Sequence, residues 1–230
     1  YIGVENVDER VGVFASLPTA GESASPTVAK NAHARITQLC GLAEKGKIAP
    51  LIMVDNEKIK KLYPKLTVKK FWTTINNTVA GLFHVFNVLA NQDSEYTTFD
   101  ATDYDSIMKQ PGCMIMGVTS VKNLENETAV SSALKKNLEK TLLAEGFDLT
   151  TATGAACIVV GSEEIFEETV GLMDNIEFGF DTLAALTGGA MVHRGIYEDA
   201  NKDKLVTYTL VSGLKRPAKR IEGLKKFLKK

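Results

Sequence analysis

The sequence predicts an α/β fold: a first α/β segment, a long central helix, and then a second, two-layer α/β sandwich unit. Three observations carry this expectation. Short Val- and Ile-bearing runs bounded by Pro, Gly, Asp or Asn alternate with stretches of helical period. The longest helical pattern, Val68 to Asn91, lies near the middle of the chain. From about residue 105 onward, strand and helix patterns follow one another regularly. A hydrophobic content of 44% with a net charge of −1 describes a globular chain, because disorder needs low hydrophobicity and a large charge. The most apolar run, Val79 to Ala90, is too short for a membrane span of about 20 residues.

Arg10 to Leu17 (RVGVFASL) reads as a buried strand that stops at Pro18. A Gly-, Ser- and Thr-rich loop follows, and Pro26 then suits the first turn of a helix to about Glu44 with Val28, Ala32, Ile36, Leu39 and Leu42 on one face. Ala49 to Val54 (APLIMV) is a second buried strand, ending at Asp55-Asn56. In the central helix, Phe71, Ile75, Val79, Leu82, Phe86 and Leu89 recur every three or four residues. Trp72, Phe83, Val85 and Val88 widen that stripe, which predicts burial on most sides. Thr102 or Asp103 caps a short helix through Met108. The remaining pattern is a strand at Gly112–Val121, a helix at Glu127–Glu145 and a strand at Gly154–Val160. A mainly helical stretch, Glu163–Leu186, breaks near Phe178-Gly179 and precedes strands at Ala190–Tyr197 and Leu205–Leu210.

Charge is unevenly spread. Lys215 to Lys230 hold eight cations against Glu222 alone, so residues 1–214 carry −8 of the chain's −1. Ile221, Leu224 and Leu228 recur there at helical spacing. Such a basic amphipathic segment either rests its few apolar residues on the body or binds an anionic membrane surface or acidic partner.

Several chemistries lack their residues. Cys40, Cys113 and Cys157 have neither disulfide-framework nor zinc spacing, which fits a cytoplasmic protein. His33, His84 and His193 show no ligand spacing and read as surface or core histidines. Gly41 to Lys47 resembles a P-loop but follows a helix and lacks the Ser or Thr for Mg²⁺, so it reads as a helix end. No nucleophile elbow is present, and no basic stripe with aromatics outside the tail points to nucleic acid.

Four segments do suit a nucleotide. Glu22 closes the loop after the first strand, and Asn56 sits just past the end of the second. In α/β sheets ligands bind at such strand ends. Trp72, Asn76 and Asn77 lie in the first turns of the central helix, and Asp100 and Asp103 in the loop after it. A carboxylate suits ribose hydroxyls, amides match a purine edge, and an indole offers a stacking face. Each residue also has a purely structural use: Asn56 or Asp103 as a cap, Trp72 in a core.

In this order and spacing the segments resemble the tubulin/FtsZ superfamily, on its FtsZ-like cell-division GTPase side. Pro18 followed by Glu22 is similar to the family's sugar-binding loop. VDNEKI with Asn56 and FWTTINN resemble its base-contacting segments, TFDATD its synergy loop, and GCMIMG the strand after it. Thr98 stands where that loop usually has Asn, and Pro26 where FtsZ has an Arg. The resemblance covers about Arg10 to Leu214. It implies residues 1–67 as the C-terminal part of a Rossmann-like GTPase domain, 68–104 as central helix and synergy loop, 105–214 as the C-terminal α/β domain and 215–230 as a basic tail. The glycine-rich phosphate loop of the family is not in the sequence, and the chain starts at Tyr1 rather than Met, so a fragment of a longer protein is expected.

The resemblance further implies GTP or GDP with Mg²⁺ as ligand, held by Glu22, Asn56, Trp72, Asn76 and Asn77. It implies that copies assemble head-to-tail into filaments. Asp100 and Asp103 would then complete the neighbour's site and polarise the attacking water. The alternative is a non-catalytic, FtsZ-like scaffold that docks through its basic tail.

Overall fold

In the computed structural model, which describes residues 11–228, six strands form one sheet in the order β1-β2-β3-β6-β4-β5. Arg10, where the first predicted strand begins, and Lys229 and Lys230 of the tail lie outside the described residues. In chain order the elements are β1 (Val13–Leu17), α1 (Ala20–Ser23), α2 (Pro26–Glu44), β2 (Leu51–Asp55), α3 (Asn56–Leu62), α4 (Val68–Leu89) and α5 (Ala101–Met108). They continue with β3 (Cys113–Ser120), α6 (Ala129–Lys136), β4 (Gly154–Gly161), α7 (Glu163–Glu168), α8 (Leu172–Leu186), β5 (Met191–Glu198), β6 (Val206–Leu214) and α9 (Ala218–Leu224). Strands β1, β2 and β3 run parallel, β6 is antiparallel to both β3 and β4, and β5 runs parallel to β4.

Side chains alternate across the strands, so the sheet has two buried faces. Ala15, Leu17, Leu51, Met53, Cys113 and Ile115 meet α2, α6, α8 and α9 on one face. Ile52, Val54, Met114, Met116, Ala156 and Ile158 meet α3, α4 and α5 on the other. Cys40, Cys113 and Cys157 are all fully buried thiols, and burial pushes Cys157 up.

Five local expectations are corrected. Helix α2 has the predicted bounds, but it buries Ala29, Ile36, Cys40 and Ala43 and leaves Val28 exposed; small side chains allow the close approach to the sheet. Helix α4 is covered on one side only. Ile75, Leu82, Phe86 and Leu89 are buried, while Trp72 and Val88 lie open, because the described residues place no layer beyond the helix. The cap of α5 is Asp100, in a reciprocal capping box with Asp103. Helix α6 stops at Lys136 in a π turn at Asn137–Thr141, because Asn137 turns inward to accept from Thr209 Oγ1 at 2.9 Å. The later helical stretch breaks at Gly171, which has φ 74°, and runs unbroken through Gly179. A Cβ on Gly179 would stand 2.5 Å from Val130 Cγ1, so that glycine serves the α6–α8 contact.

The sheet is narrowest between β2 and β3. They pair only at Leu51–Cys113 and Ile52–Met114. Beyond that, Leu143 of the segment after α6 wedges in: its N–H donates to Met116 O at 2.9 Å and its carbonyl accepts from Asp55 N at 2.8 Å. The backbone groups left open by the diverging strands are thus satisfied by a third segment.

The basic tail partly folds back. Ile221 and Leu224 are buried against α2. Arg216 forms a double hydrogen bond with Glu44, whose carboxyl it holds below the ordinary range. Arg220 Nε donates to Asp55 Oδ2 at 2.7 Å and its Nη2 to Asp55 Oδ1 at 3.0 Å and Pro18 O at 2.8 Å. Asp55 is 1% exposed, so removing Arg220 leaves a buried, unpaired carboxylate. Arg220→Ala is expected to lower stability by about 3 kcal/mol, while Asp55→Ala/Arg220→Ala loses less than the sum of the single changes. Urea-denaturation midpoints check both statements.

Candidate functional site

The carboxyl ends of β1 and β2 open toward the start of α4, and two adjoining cavities lie between them. The first, about 530 Å³, is lined by Thr19, Glu22, Glu57, Lys60, Lys61 and Trp72 among others. The second, about 440 Å³, is lined by Phe14, Val54, Asn56, Trp72, Asn76 and Phe83 among others. Both volumes lie in the range of small-molecule sites. Trp72 borders both; it is 48% exposed and meets Phe71 edge-on at 5.2 Å.

Local sequence explains the placement. Thr19 N-caps the single turn α1, its Oγ1 accepting from Glu22 N at 3.1 Å, and Glu22 Oε2 accepts from Thr19 N at 2.7 Å. Glu57 Oε2 reaches back to Ala20 N at 2.9 Å and ties α3 to α1. Asp55, not Asn56, caps α3: its Oδ1 accepts from Glu57 N at 3.0 Å. That leaves Asn56 free of capping duty. It is 7% exposed, its side-chain amide makes no hydrogen bond with any described residue, and it borders the second cavity. The amide is therefore available to a ligand or to water in that cavity.

The structure therefore places Glu22 on the first cavity and Asn56 and Asn76 on the second, with Trp72 between them. Asn77 lies exposed on α4 and lines neither cavity. Asp100 and Asp103 are elsewhere: they follow the far end of α4, a helix of 22 residues that spans about 33 Å at 1.5 Å per residue. Sequence reasoning missed Lys60 and Lys61, which line the first cavity beside Glu22 and Glu57; Lys61 Nζ also donates to Glu145 Oε1 at 3.2 Å. The signal was present in the Lys-Lys pair three residues after Glu57.

At the far end the acids are engaged with each other. Asp100 Oδ1 accepts from Asp103 N at 2.8 Å, and Asp103 Oδ2 accepts from Asp100 N at 3.4 Å. His193 Nδ1 of β5 stands 2.7 Å from Asp103 Oδ1, a contact across 90 positions of sequence that no spacing announces. The same strand fastens the loop before the acids. Ile196 N donates to Thr97 O, and Tyr197 Oη accepts from Phe99 N and donates to Phe99 O. Among the described residues no group of three or more His, Cys, Asp or Glu side chains would hold a metal ion, and no helix is long and apolar enough to cross a membrane.

A family model described as "Tubulin-like protein TubZ, C-terminal domain" matches residues 97–218. Among solved structures, a GDP-form protofilament of TubZ from Bacillus thuringiensis serovar israelensis superposes with a TM-score of 0.79 at 18% identity, over 97% of this chain and 57% of that one. CetZ2 of Haloferax volcanii, in a GTPγS-bound protofilament, gives 0.73 at 16% identity over 97% and 63%. An empty FtsZ dimer of M. jannaschii gives 0.65 at 21% identity over 91% and 60%. The chain thus spans 57% to 63% of the length of these structures. No curated protein sequence matches it.

The capping role of Asp100 sets a control for work on these acids. Asp100→Ala is expected to lower stability by about 1 kcal/mol, whereas Asp100→Asn, which still caps, leaves it nearly unchanged. Thermal unfolding of the two variants checks this.

Proposed function

The chain belongs to the family of the TubZ C-terminal domain, within the tubulin/FtsZ superfamily, and from that premise we propose that it forms part of a cytoplasmic guanine-nucleotide-binding protein that assembles head-to-tail and hydrolyses GTP. In this reading residues 1–67 end the nucleotide domain, 68–104 carry the central helix and synergy loop, 105–214 form the C-terminal domain and 215–230 the tail. The observation that carries it is the amide of Asn56, which makes no hydrogen bond with any described residue and borders the same cavity as Trp72 and Asn76, where β1 and β2 end.

Trp72 would stack on the base and Asn56 and Asn76 would meet its polar edge. Glu22, with one oxygen held by Thr19, would offer the other to ribose, and Lys60 and Lys61 would favour the ligand's charge. Asn77 is assigned to the same site by family resemblance. Mg²⁺, where present, would be held mainly by the nucleotide's phosphates and water.

Asp100 and Asp103 lie at the other end of α4, too far to serve the recess of the same copy. Assembly in which one copy's acids meet the next copy's nucleotide resolves that separation, and the protofilaments of the TubZ and CetZ2 structures support this reading. Exposed carboxylates there would orient and polarise water. The scaffold alternative gains less support, because Arg216 and Arg220 of the tail are turned inward onto Glu44 and Asp55.

The test uses the full-length protein. GTP is expected to change the emission of Trp72, the chain's single tryptophan, and to drive sedimentation of polymer. Asp100→Asn and Asp103→Asn are each expected to lower turnover about 100-fold while sparing nucleotide binding. Turnover unchanged in both variants overturns the catalytic assignment, and a pellet independent of nucleotide favours the scaffold.

A further inference from the structure

Strand β5 is the outermost strand of the sheet among the described residues, and its free edge is not left to solvent. It is used to fasten residues 97–103. Ile196 forms an antiparallel bridge with Thr97, the Tyr197 hydroxyl is bonded to both backbone groups of Phe99, and His193 meets Asp103. Gly195 makes the approach possible: a Cβ there would stand 2.9 Å from Phe99 Cβ and 2.8 Å from the Tyr197 ring.

We propose that His193 is a positioning residue that fixes the Asp103 carboxylate for presentation to a neighbouring copy's nucleotide; the inference rests on the function proposed above. A carboxylate accepts hydrogen bonds, so the His193 Nδ1 facing Asp103 Oδ1 at 2.7 Å carries the hydrogen. The imidazole side chain is 13% exposed, against 32% for the carboxylate it holds, so the donor belongs to the rigid side of the pair. Neighbouring Arg194 pairs with Glu177 and Asp181 of α8 and leaves His193 to Asp103.

Without His193, the Asp103 carboxylate would keep, among the described residues, only the 3.4 Å hydrogen bond from Asp100 N. The capping box sets the two acids relative to each other, and His193 sets the pair relative to the sheet. A misplacement of about 1 Å in such a group lowers rate by about 100-fold.

The test compares His193→Ala, His193→Leu and His193→Asn in the full-length protein under assembling conditions. The Asn side chain places an N–H near the position of Nδ1. The expected result is that Ala and Leu lower kcat at least tenfold with KM for GTP, Trp72 emission and sedimented mass unchanged, and that Asn restores most of the rate. A structural role alone would not produce that rescue. The proposal is overturned if His193→Ala turns over like the wild type while Asp103→Asn does not. It is equally overturned if Asn is no better than Leu although all variants unfold at the same temperature. Absence of turnover in the wild type overturns the proposed function itself, a result these variants do not mimic.

Discussion

The pair between Asp55 and Arg220 joins segments that are 165 residues apart, and the placement of the candidate site depends on it. Asp55 ends β2, caps α3 and is fully buried. Its carboxylate therefore has to be met by charge or by several donors, and it receives both from one guanidinium and the Glu57 N–H. The same Arg220 reaches Pro18 O at the end of β1. One side chain of the C-terminal helix thus sets the exits of the two strands whose loops carry Glu22 and Asn56. The tail's charge, which as a sequence feature suggests an outside partner, is partly consumed inside the molecule.

The wedge at Leu143 works to the same end. Two parallel strands that pair at only two positions would expose backbone groups as they diverge. Leu143 satisfies one on each, and the adjoining Glu145 meets Lys58 and Lys61 of α3. Burial raises the Glu145 pKa, but the two lysines outweigh it and hold the carboxyl below the ordinary range. The first and second halves of the chain are therefore joined by short polar contacts around a narrow neck of sheet.

The elements were legible wherever one signal dominated. Pro26, the apolar run LIMVD and the strands GAACIVVG and CMIMGVTS declare themselves by period and punctuation. The misreadings occur where tertiary contact overrides the local pattern. Gly179 reads as a break but is a contact with Val130, and Asn137 reads as helical but turns inward toward Thr209. Val28 reads as core although Ala29 and Cys40 take that face. For the site, the resemblance named Glu22, Asn56, Trp72, Asn76 and Asn77; Trp72 lines both cavities, Glu22 the first and Asn56 and Asn76 the second, while Asn77 lines neither. The partners that hold them, Arg220 for Asp55 and His193 for Asp103, lie 165 and 90 residues away and leave no mark in any local window.

Helix α4 sets the logic of the whole arrangement. Its start borders the recess and its end leads, through residues 90–99, toward the paired acids, and the helix itself spans about 33 Å. Under the proposed function, no side-chain motion closes such a gap, so the two groups would act on one ligand only from different copies. Two unlike surfaces at opposite ends of one helix would then form a heterologous contact, the kind that propagates instead of closing into a dimer. The polar groups at both ends are already fixed before any contact, by the α1 and α5 capping boxes and by β5. Under the proposed function, assembly would then contribute proximity rather than folding, which is the condition under which a catalytic step follows polymer formation without a large conformational change.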